Sequence, residues 1–317
     1  MPSKNRITIG PLKASEIAEA DRIFRLAFST FIGLPDGKFM AGRELMTMRL
    51  KGKHVKAVAA RDNGKLIGSN LATRWGSFGF FGPLTVLPEY WDRGVGSMLM
   101  ASTMKVFDAW GLKHTGLFTF PHSAKHIGLY QKFGYWPQYL TALMHWKPEE
   151  KAQTQPTLLS ALSKKAQEDA IRGCARLASG IQKGLDLSEE IGALLKHRGG
   201  DVVLVYGGKG GKTLDGFAVC CTGPGSEGGT AACYVKFAAA RGGDGAGERF
   251  DRLLEACDSF AAERAVTIEA GVNLAREDAY RRMRAHGYRT TAQGVALQRP
   301  HIPGYCRSDA YVIDDWR

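Results

Sequence analysis

Residues 80–99 read FFGPLTVLPEYWDRGVGSML, and this stretch decides the fold of the chain. It begins as an apolar strand, passes through a tight turn that contains Gly94 and Gly96, and continues as a helix. Apolar residues recur in that helix with a period near 3.6 from Val95 to Ala109. The first amides of a helix have no partners within it and lie at the positive end of the helix dipole. The stretch therefore predicts a phosphate-binding turn.

The residues of this turn suit close contact with a phosphate group. Gly94 and Gly96 permit unusual backbone dihedral angles and place no Cβ in the way of a ligand, and Arg93 adds a fixed positive charge. Two common phosphate motifs are absent from the turn, because residue 99 is a leucine rather than a third glycine and no Gly-Lys-Ser/Thr follows. For the turn taken alone, a helix start that contains glycines is the alternative interpretation.

Two motifs make the interpretation more specific. Val86, Pro88, Gly94 and Gly96 fill the pattern Val-x-Pro-x-x-x-x-x-Gly-x-Gly, which resembles the acetyl-coenzyme A (acetyl-CoA) motif of the GNAT superfamily of N-acetyltransferases. Residues 123–135 read SAKHIGLYQKFGY. They resemble the late motif of that family, an amphipathic helix with a Leu-Tyr pair followed by glycine and an aromatic residue. Two motifs in the family's order and at its separation are more specific than one.

The resemblance implies an acetyl-CoA site in which the turn amides hold the pyrophosphate. It also implies that a backbone N–H of the preceding strand stabilises the oxyanion of the reaction. The cofactor-binding residues implied in this way are Leu84, Val86, Trp91, Asp92, Arg93, Gly94, Val95, Gly96 and Ser97.

The sequence departs from the family pattern at three places. Trp91 stands where the family usually has Gln or Arg, Asp92 where it often has Gly, and Ser123 where the late motif often has Asn. The main-chain amides are unaffected by these side chains, so the phosphate turn is retained. Asp92 would weaken anion binding if it faced the pocket, and we expect it to point to solvent.

Acetyl transfer to an amine needs proton transfers, for which few side chains are candidates. The leaving thiol has a pKa of about 8.5, and Tyr130 lies at the position of the family's general acid; a core aromatic ring is the alternative. An amine with a pKa of about 10 must lose a proton near pH 7. His122 is the candidate base, with a structural histidine as the alternative, and Glu89 is expected at the solvated surface.

Length and charge limit the classes of protein. The 317 residues suit two domains of about 150 residues each. Residues 1–150 carry 20 Lys and Arg against 11 Asp and Glu, whereas residues 151–317 carry 23 against 20. The positive excess thus lies in the half with the phosphate turn, where a polyanionic cosubstrate would gain from it. No basic run interleaved with aromatic residues is present, so we do not predict nucleic-acid binding.

The cysteines and the apolar segments indicate a soluble cytoplasmic protein. All six cysteines lie in the second half without a Cys-x-x-Cys pair, which favours buried free thiols over disulfides or a metal site. The N-terminal residues contain no apolar signal core, and no 18-residue apolar segment exists. We therefore expect no metal and no membrane partner. The sequence does not indicate the oligomeric state.

The order of the predicted elements favours an α/β fold with a mixed sheet and helices on both faces. The elements predicted in the first half are strands at 6–9, 55–60, 65–74, 115–120 and 138–146, a helix at 95–110 and a helix with Tyr130. This order agrees with the fold that the resemblance implies. In that fold a mostly antiparallel sheet splays open after the strand that ends at Pro88, and the opening receives pantetheine.

The second half repeats this organisation. Polar residues 148–157, bracketed by prolines, predict a linker. Residues 237–247 again combine a strand, a glycine-rich turn and the start of a helix, and a later helix ends at Gly287, 42 residues after Gly245. We therefore predict two tandem acyl-CoA N-acyltransferase-like domains, residues 1–147 and 158–317.

The two copies are not equivalent. Asp244 occupies the position of Arg93, and Met283 occupies that of Tyr130. The glycine-lysine loop at 207–213 lacks the spacing of a P-loop and is followed by a strand pattern, so it predicts a hairpin loop. We expect the first domain to carry the chemistry and the second to be structural or to line the acceptor groove.

These predictions combine into a transfer of the acetyl group of acetyl-CoA to a primary amine of a small molecule or peptide, by direct attack. The alternative is a CoA-binding regulator or scaffold without turnover. Residues 311–316 predict a further strand, which pairs either within the second domain or, as a hypothesis, with the first domain, which has no obvious last strand after Lys147.

Overall fold

A computed structural model describes residues 7–148 and 155–317 of the chain. Its strands are β1 (Ile7–Pro11), β2 (Val55–Asp62), β3 (Lys65–Trp75), β4 (Phe78–Phe81), β5 (Thr85–Val86), β6 (His114–Thr119), β7 (Trp136–Trp146), β8 (Thr157–Leu158), β9 (Gly200–Gly207), β10 (Thr213–Cys221), β11 (Ala232–Ala240), β12 (Thr267–Asn273), β13 (Arg289–Arg299) and β14 (Val312–Ile313). Its helices are α1 (Ile17–Ile32), α2 (Leu45–Leu50), α3 (Val95–Ala109), α4 (Ala124–Gln131), α5 (Lys164–Ile181), α6 (Ser188–Lys196), α7 (Ala246–Ala262) and α8 (Glu277–His286).

The two halves of the chain pair their strands in the same way. In the first half β2, β3 and β4 are successively antiparallel, and β4 is parallel to β6, which follows helix α3. In the second half β9, β10 and β11 are successively antiparallel, and β11 is parallel to β12, which follows helix α7. The predicted duplication is therefore present in the fold.

The halves exchange their last long strands. Strand β13 of the second half lies between β6 and β7 of the first, and β7 in turn lies between β13 and β12. Each adjacent pair among these four strands is antiparallel, with Leu297 opposite Leu117 and Gly271 opposite Leu143. One continuous sheet therefore runs through both halves instead of two separate sheets.

Helices cover both faces of this sheet. Alternation along β10 sends Cys220 to one face, packed with residues of α7, and Cys221 to the other, packed with residues of α5 and α6. All six cysteines are buried free thiols, as the sequence predicts. No helix among the described residues is both long and apolar enough to cross a membrane.

Most predicted elements agree with the structure to within a few residues. The first strand is Ile7–Pro11, the helix after the phosphate turn ends at Ala109, and the strand before helix α4 is His114–Thr119. The glycine-lysine loop joins the antiparallel strands β9 and β10, so the predicted hairpin is correct. Of the predicted linker, residues 149–154 lie outside the described part of the chain.

The prediction of a strand at 311–316 donated to the first domain is wrong. Val312 and Ile313 pair with Ala239 and Ala238 of β11, within the second half. The first half does receive a strand from the second, but that strand is β13. Strand β13 has eleven residues and pairs with a neighbouring strand on each side. Strand β14 has only two residues and pairs with β11 alone.

The strand exchange predicts that a second-half residue stabilises the first half. Leu297 on β13 is fully buried among first-half residues such as Met100 and Leu117. We expect Leu297→Ala to lower the free energy of unfolding by about 2–5 kcal/mol, because it leaves a cavity in this core. Urea unfolding followed by tryptophan fluorescence and by circular dichroism measures the change.

Gln293→Ala is the matched control, because Gln293 lies on the same strand and is exposed; its effect should stay within about 0.5 kcal/mol. If unfolding occurred in two separate transitions and Leu297→Ala destabilised only one of them, the two halves would not stabilise each other.

Candidate active site

The sheet opens between β5 and the end of β6. Strand β4 pairs with β6 only as far as Phe80 opposite Gly116, and β5 then pairs with β3 through Thr85 and Val86. Beyond Gly116, β6 is paired only with β13, which lies on its other side. The two strands thus diverge, and the backbone of β5 is left without a strand partner on its β6 side. This is the splayed opening that the family resemblance implies.

The glycine turn lies at one end of the opening. Gly94 is the residue before helix α3 and has φ +78°, a left-handed conformation that favours glycine. Nothing lies within 4 Å of the position that a Cβ at Gly94 would occupy, whereas a Cβ at Gly96 would be 3.3 Å from Leu129. The unpaired amides at the start of a 15-residue helix therefore face an accessible concavity.

A cleft of about 1240 Å³ contains the opening and most of the predicted site residues. Those that line it are Leu84, Val86, Trp91, Asp92, Gly94, Val95, Gly96, Ser97 and Tyr130. Arg93 does not line it; its guanidinium lies 5.1 Å from the centre of the Tyr90 ring. The structure therefore brings nine of the eleven candidate residues to one cleft, and Arg93 and His122 are the two that do not line it.

Two side chains of the turn have roles that the sequence did not indicate. The Trp91 indole N–H donates a hydrogen bond to the Val86 carbonyl over 2.8 Å, which fixes the turn to β5. The Asp92 carboxylate is largely solvent-exposed and forms an ion pair with Lys125, with 2.6 Å between Nζ and Oδ1. Asp92 thus points to solvent as expected, and the lysine offsets its charge at the edge of the cleft.

Tyr130 lies on helix α4, on the wall of the cleft. Its side chain is 7% exposed, and its ring packs edge-on against Phe81 with 5.6 Å between centroids. Burial raises the pKa of Tyr130 to about 12, and a hydrogen bond with Thr119 opposes this in part. The phenol is therefore protonated at neutral pH and can act as a hydrogen-bond donor.

Of the two histidines near this wall, the structure favours His126 over His122. His122 is exposed and does not line the cleft, and its ring stacks on Phe31 at 6.0 Å. His126 does line the cleft, one helical turn before Tyr130. Burial, together with the positive charges of Lys125 and His122, holds the pKa of His126 below its ordinary value of 6.5. The spacing of four residues from Tyr130 was the available sequence signal for His126.

The far end of the cleft is built from both halves. Arg43, in the loop before α2, forms two hydrogen bonds to the Glu269 carboxylate on β12, of 2.7 and 2.5 Å. Arg317 lies 3.9 Å from the same carboxylate. Burial raises the pKa of Glu269, but Arg43 and Arg317 outweigh burial and hold it below its usual value. Glu269 is therefore a paired, ionised group.

The corresponding opening in the second half is filled. Strands β11 and β12 stop pairing at Val235 opposite Ala270, and β14 then pairs with Ala238 and Ala239. The Ala240 N–H also donates to the Tyr311 carbonyl over 3.0 Å. Residues 311–313 thus fill the opening of the second half that corresponds to the gap between β5 and β6 in the first half.

The second glycine turn also differs from the first. The Arg249 guanidinium donates hydrogen bonds to the carbonyls of residues 241, 242 and 243. These bonds fix the backbone of the second turn. Met283, at the position of Tyr130, is fully buried in the core and carries no proton donor. A cleft of about 1100 Å³ remains beside the turn, without an opening in the sheet next to it.

The chain is similar to known acetyltransferases. Residues 22–135 match the family model described as the acetyltransferase (GNAT) family. None of the curated protein sequences matches the chain with significance.

Solved structures with the same fold extend the similarity to the whole chain. A protein of Pyrococcus horikoshii assigned as an acetyltransferase has a TM-score of 0.67 at 13% identity, covering 100% of this chain and 96% of its own. A GCN5-related N-acetyltransferase from Sphaerobacter thermophilus has a TM-score of 0.59 at 14% identity, covering 92% and 95%. A tandem GNAT protein from the clavulanic acid biosynthesis pathway has a TM-score of 0.58 at 12% identity, covering 92% and 98%. At these identities the likeness shows the fold.

The surroundings of His126 predict its titration. We expect its imidazole to titrate below pH 6.5, and Lys125→Gln to raise this pKa, because the substitution removes a nearby positive charge. Lys132→Gln is the control, since Lys132 is a second cation lining the cleft near this helix. Histidine C–H resonances followed by NMR against pH measure both pKa values. A His126 pKa at or above 6.5 would contradict its buried placement.

Proposed function

We propose that the protein transfers the acetyl group of acetyl-CoA to a primary amine, because residues 22–135 match the acetyltransferase (GNAT) family model and the whole chain has the fold of a tandem GNAT protein. The observation that carries the proposal is the combination of the splayed opening, the glycine turn and Tyr130 in one cleft. We assign the chemistry to the first half, residues 1–147, because its opening is empty and that of the second half is filled.

The chain offers groups suited to each part of acetyl-CoA. The amides of residues 94–97 suit the pyrophosphate, because they are unpaired and lie at the positive end of a 15-residue helix. The free edge of β5 suits the amide groups of the pantetheine arm, since a backbone edge pairs with an extended chain as it would with a strand. A backbone N–H between Leu84 and Val86 is then placed to stabilise the oxyanion.

In the proposed reaction the amine nitrogen forms a bond to the thioester carbon and the bond from carbon to sulfur breaks. The amine loses one proton and the sulfur gains one, so the products are an amide and a free thiol. His126 accepts the amine proton, because its lowered pKa keeps the imidazole neutral at pH 7. Tyr130 acts as the acid: its phenol hydrogen-bonds to the departing sulfur, transfers its proton to the sulfur as the carbon–sulfur bond breaks, and regains a proton from solvent.

A pair of matched glycine substitutions tests the cofactor assignment. We expect isothermal titration to show one acetyl-CoA per chain, and Gly94→Trp to abolish this binding, because the indole would occupy the turn. Gly245→Trp is the control: Gly245 is the equivalent residue of the second half, with a similar φ of +73° against +78°. It should leave one site per chain. Binding that survives Gly94→Trp and disappears in Gly245→Trp would reverse the assignment.

A second pair of variants tests the role of Tyr130. We expect Tyr130→Phe to lower kcat about 100-fold or more, because the acid is lost, and to leave the Kd of acetyl-CoA unchanged. Tyr135→Phe is the control, since Tyr135 is also buried nearby but bonds to Thr115 and does not line the cleft; its kcat should change little. Steady-state release of CoA measures both. Acetyl-CoA binding without turnover of any amine would indicate a CoA-binding scaffold instead.

A further inference from the structure

One wall of the cleft is aromatic. The side chains of Phe28, Phe31, Phe39 and Phe120, called here the aromatic wall, all line the cleft and are all only partly buried. Phe28 stacks on Phe39 with 4.7 Å between ring centroids, and Phe31 lies 5.0 Å from Phe120. Ile32 and Met40 extend the apolar surface on the same side. A ligand entering here loses water from apolar groups at a gain of free energy.

The wall also lies next to the groups that would carry the chemistry. The Phe31 ring is 4.9 Å from the His126 ring. His126 and Tyr130 are one turn apart on α4. An acceptor held against the aromatic wall is therefore held beside the proposed proton acceptor.

The charges of the cleft disfavour acceptors with several positive charges. The described residues that line it include two carboxylates, Asp92 and Glu269. Asp92 is paired with Lys125, and Glu269 with Arg43. The lining also contains Arg317, which is paired with Asp315, and the cations Lys38 and Lys132, so its fixed charge is positive. A polyamine or a lysine-rich peptide would find no unpaired carboxylate in this cleft and would be repelled by the excess cations.

We propose that the acceptor is a primary amine with an aromatic or extended aliphatic skeleton and no second cationic group, bound against the aromatic wall. The inference rests on the proposed acetyl transfer and specifies its acceptor. Apolar surroundings also favour the neutral form of an amine over the ammonium ion, because the charged form loses its hydration. The wall thus helps to produce the form of the amine that can attack.

A panel of amines with the full-length chain and acetyl-CoA tests this acceptor class. We expect kcat/KM for 2-phenylethylamine to exceed that for spermidine, or for a lysine-rich peptide, by about tenfold or more, which is the discrimination that an apolar pocket supplies. Phe31→Ala should lower kcat/KM for 2-phenylethylamine about tenfold, mainly through KM. It should leave the Kd of acetyl-CoA unchanged.

Leu34→Ala is the matched control, because Leu34 is a large exposed apolar side chain near Phe31 that does not line the cleft; its kinetics should be those of the unaltered chain. A preference for spermidine or the basic peptide, or an unchanged KM in Phe31→Ala, would overturn the acceptor class while leaving acetyl transfer intact. Acetyl-CoA binding with no acceleration of CoA release by any amine would overturn the proposed function itself.

Discussion

The reciprocal insertion of β7 and β13 is the constraint on which the rest of the structure depends. Strand β13 of the second half pairs with β6 of the first half, and strand β7 of the first half pairs with β12 of the second. Without this exchange, β6 and β12 would each have an unpaired edge. Ladder hydrogen bonds on both sides of β13 then fix the position of β12 relative to β6. Glu269 on β12 reaches the cleft of the first half only because of this arrangement. A cleft composed of both halves is therefore a consequence of strand pairing, not of two domains touching.

A buried ionic network fixes the same relation on one face of the sheet. Arg49 of the first half donates two hydrogen bonds to Glu227 of the second, of 3.0 and 2.8 Å. Lys236 bridges Glu227 and Glu190 at 2.6 and 2.8 Å, and His54 of the first half contacts Glu190 at 3.0 Å.

Each charged group of this network is stable in the interior only while its partners are present. Burial raises the pKa of Glu190, but Lys236 and His54 outweigh burial and hold it well below its usual value. Removal of one partner would leave a buried charge unpaired, at a cost of about 3–5 kcal/mol. Such a network contributes less to net stability than an apolar core, yet it penalises any other orientation of the two halves. The network thereby fixes the position of the cleft residues of one half relative to those of the other.

The sequence predicted what local chemistry determines and missed what distant partners decide. The glycine turn and helix α3 follow from spacing and backbone demands, whereas Tyr130 follows from the resemblance of its motif, and the structure brings all three to one cleft. The insertion of β13 was not predictable, because it depends on long-range contacts, such as the close approach of Gly294 to the Phe118 ring. His126 lay within reach of sequence reasoning through its spacing from Tyr130. His122 follows strand β6 closely in sequence, but that position says little about which way its side chain points.

The terminal segment explains why two similar halves contribute unequally to one site. Val312 and Ile313 fill the opening of the second half. The chain then crosses toward the first half, where the Trp316 ring lies 5.0 Å from that of Phe78 and Arg317 lines the cleft. Gly116 permits this crossing, because a Cβ there would lie 2.8 Å from the Trp316 ring. The same few residues therefore close one opening and complete the wall of the other. Two similar halves can become unequal in this way after a duplication, because one segment closes the opening of the second half and adds Arg317 to the cleft of the first.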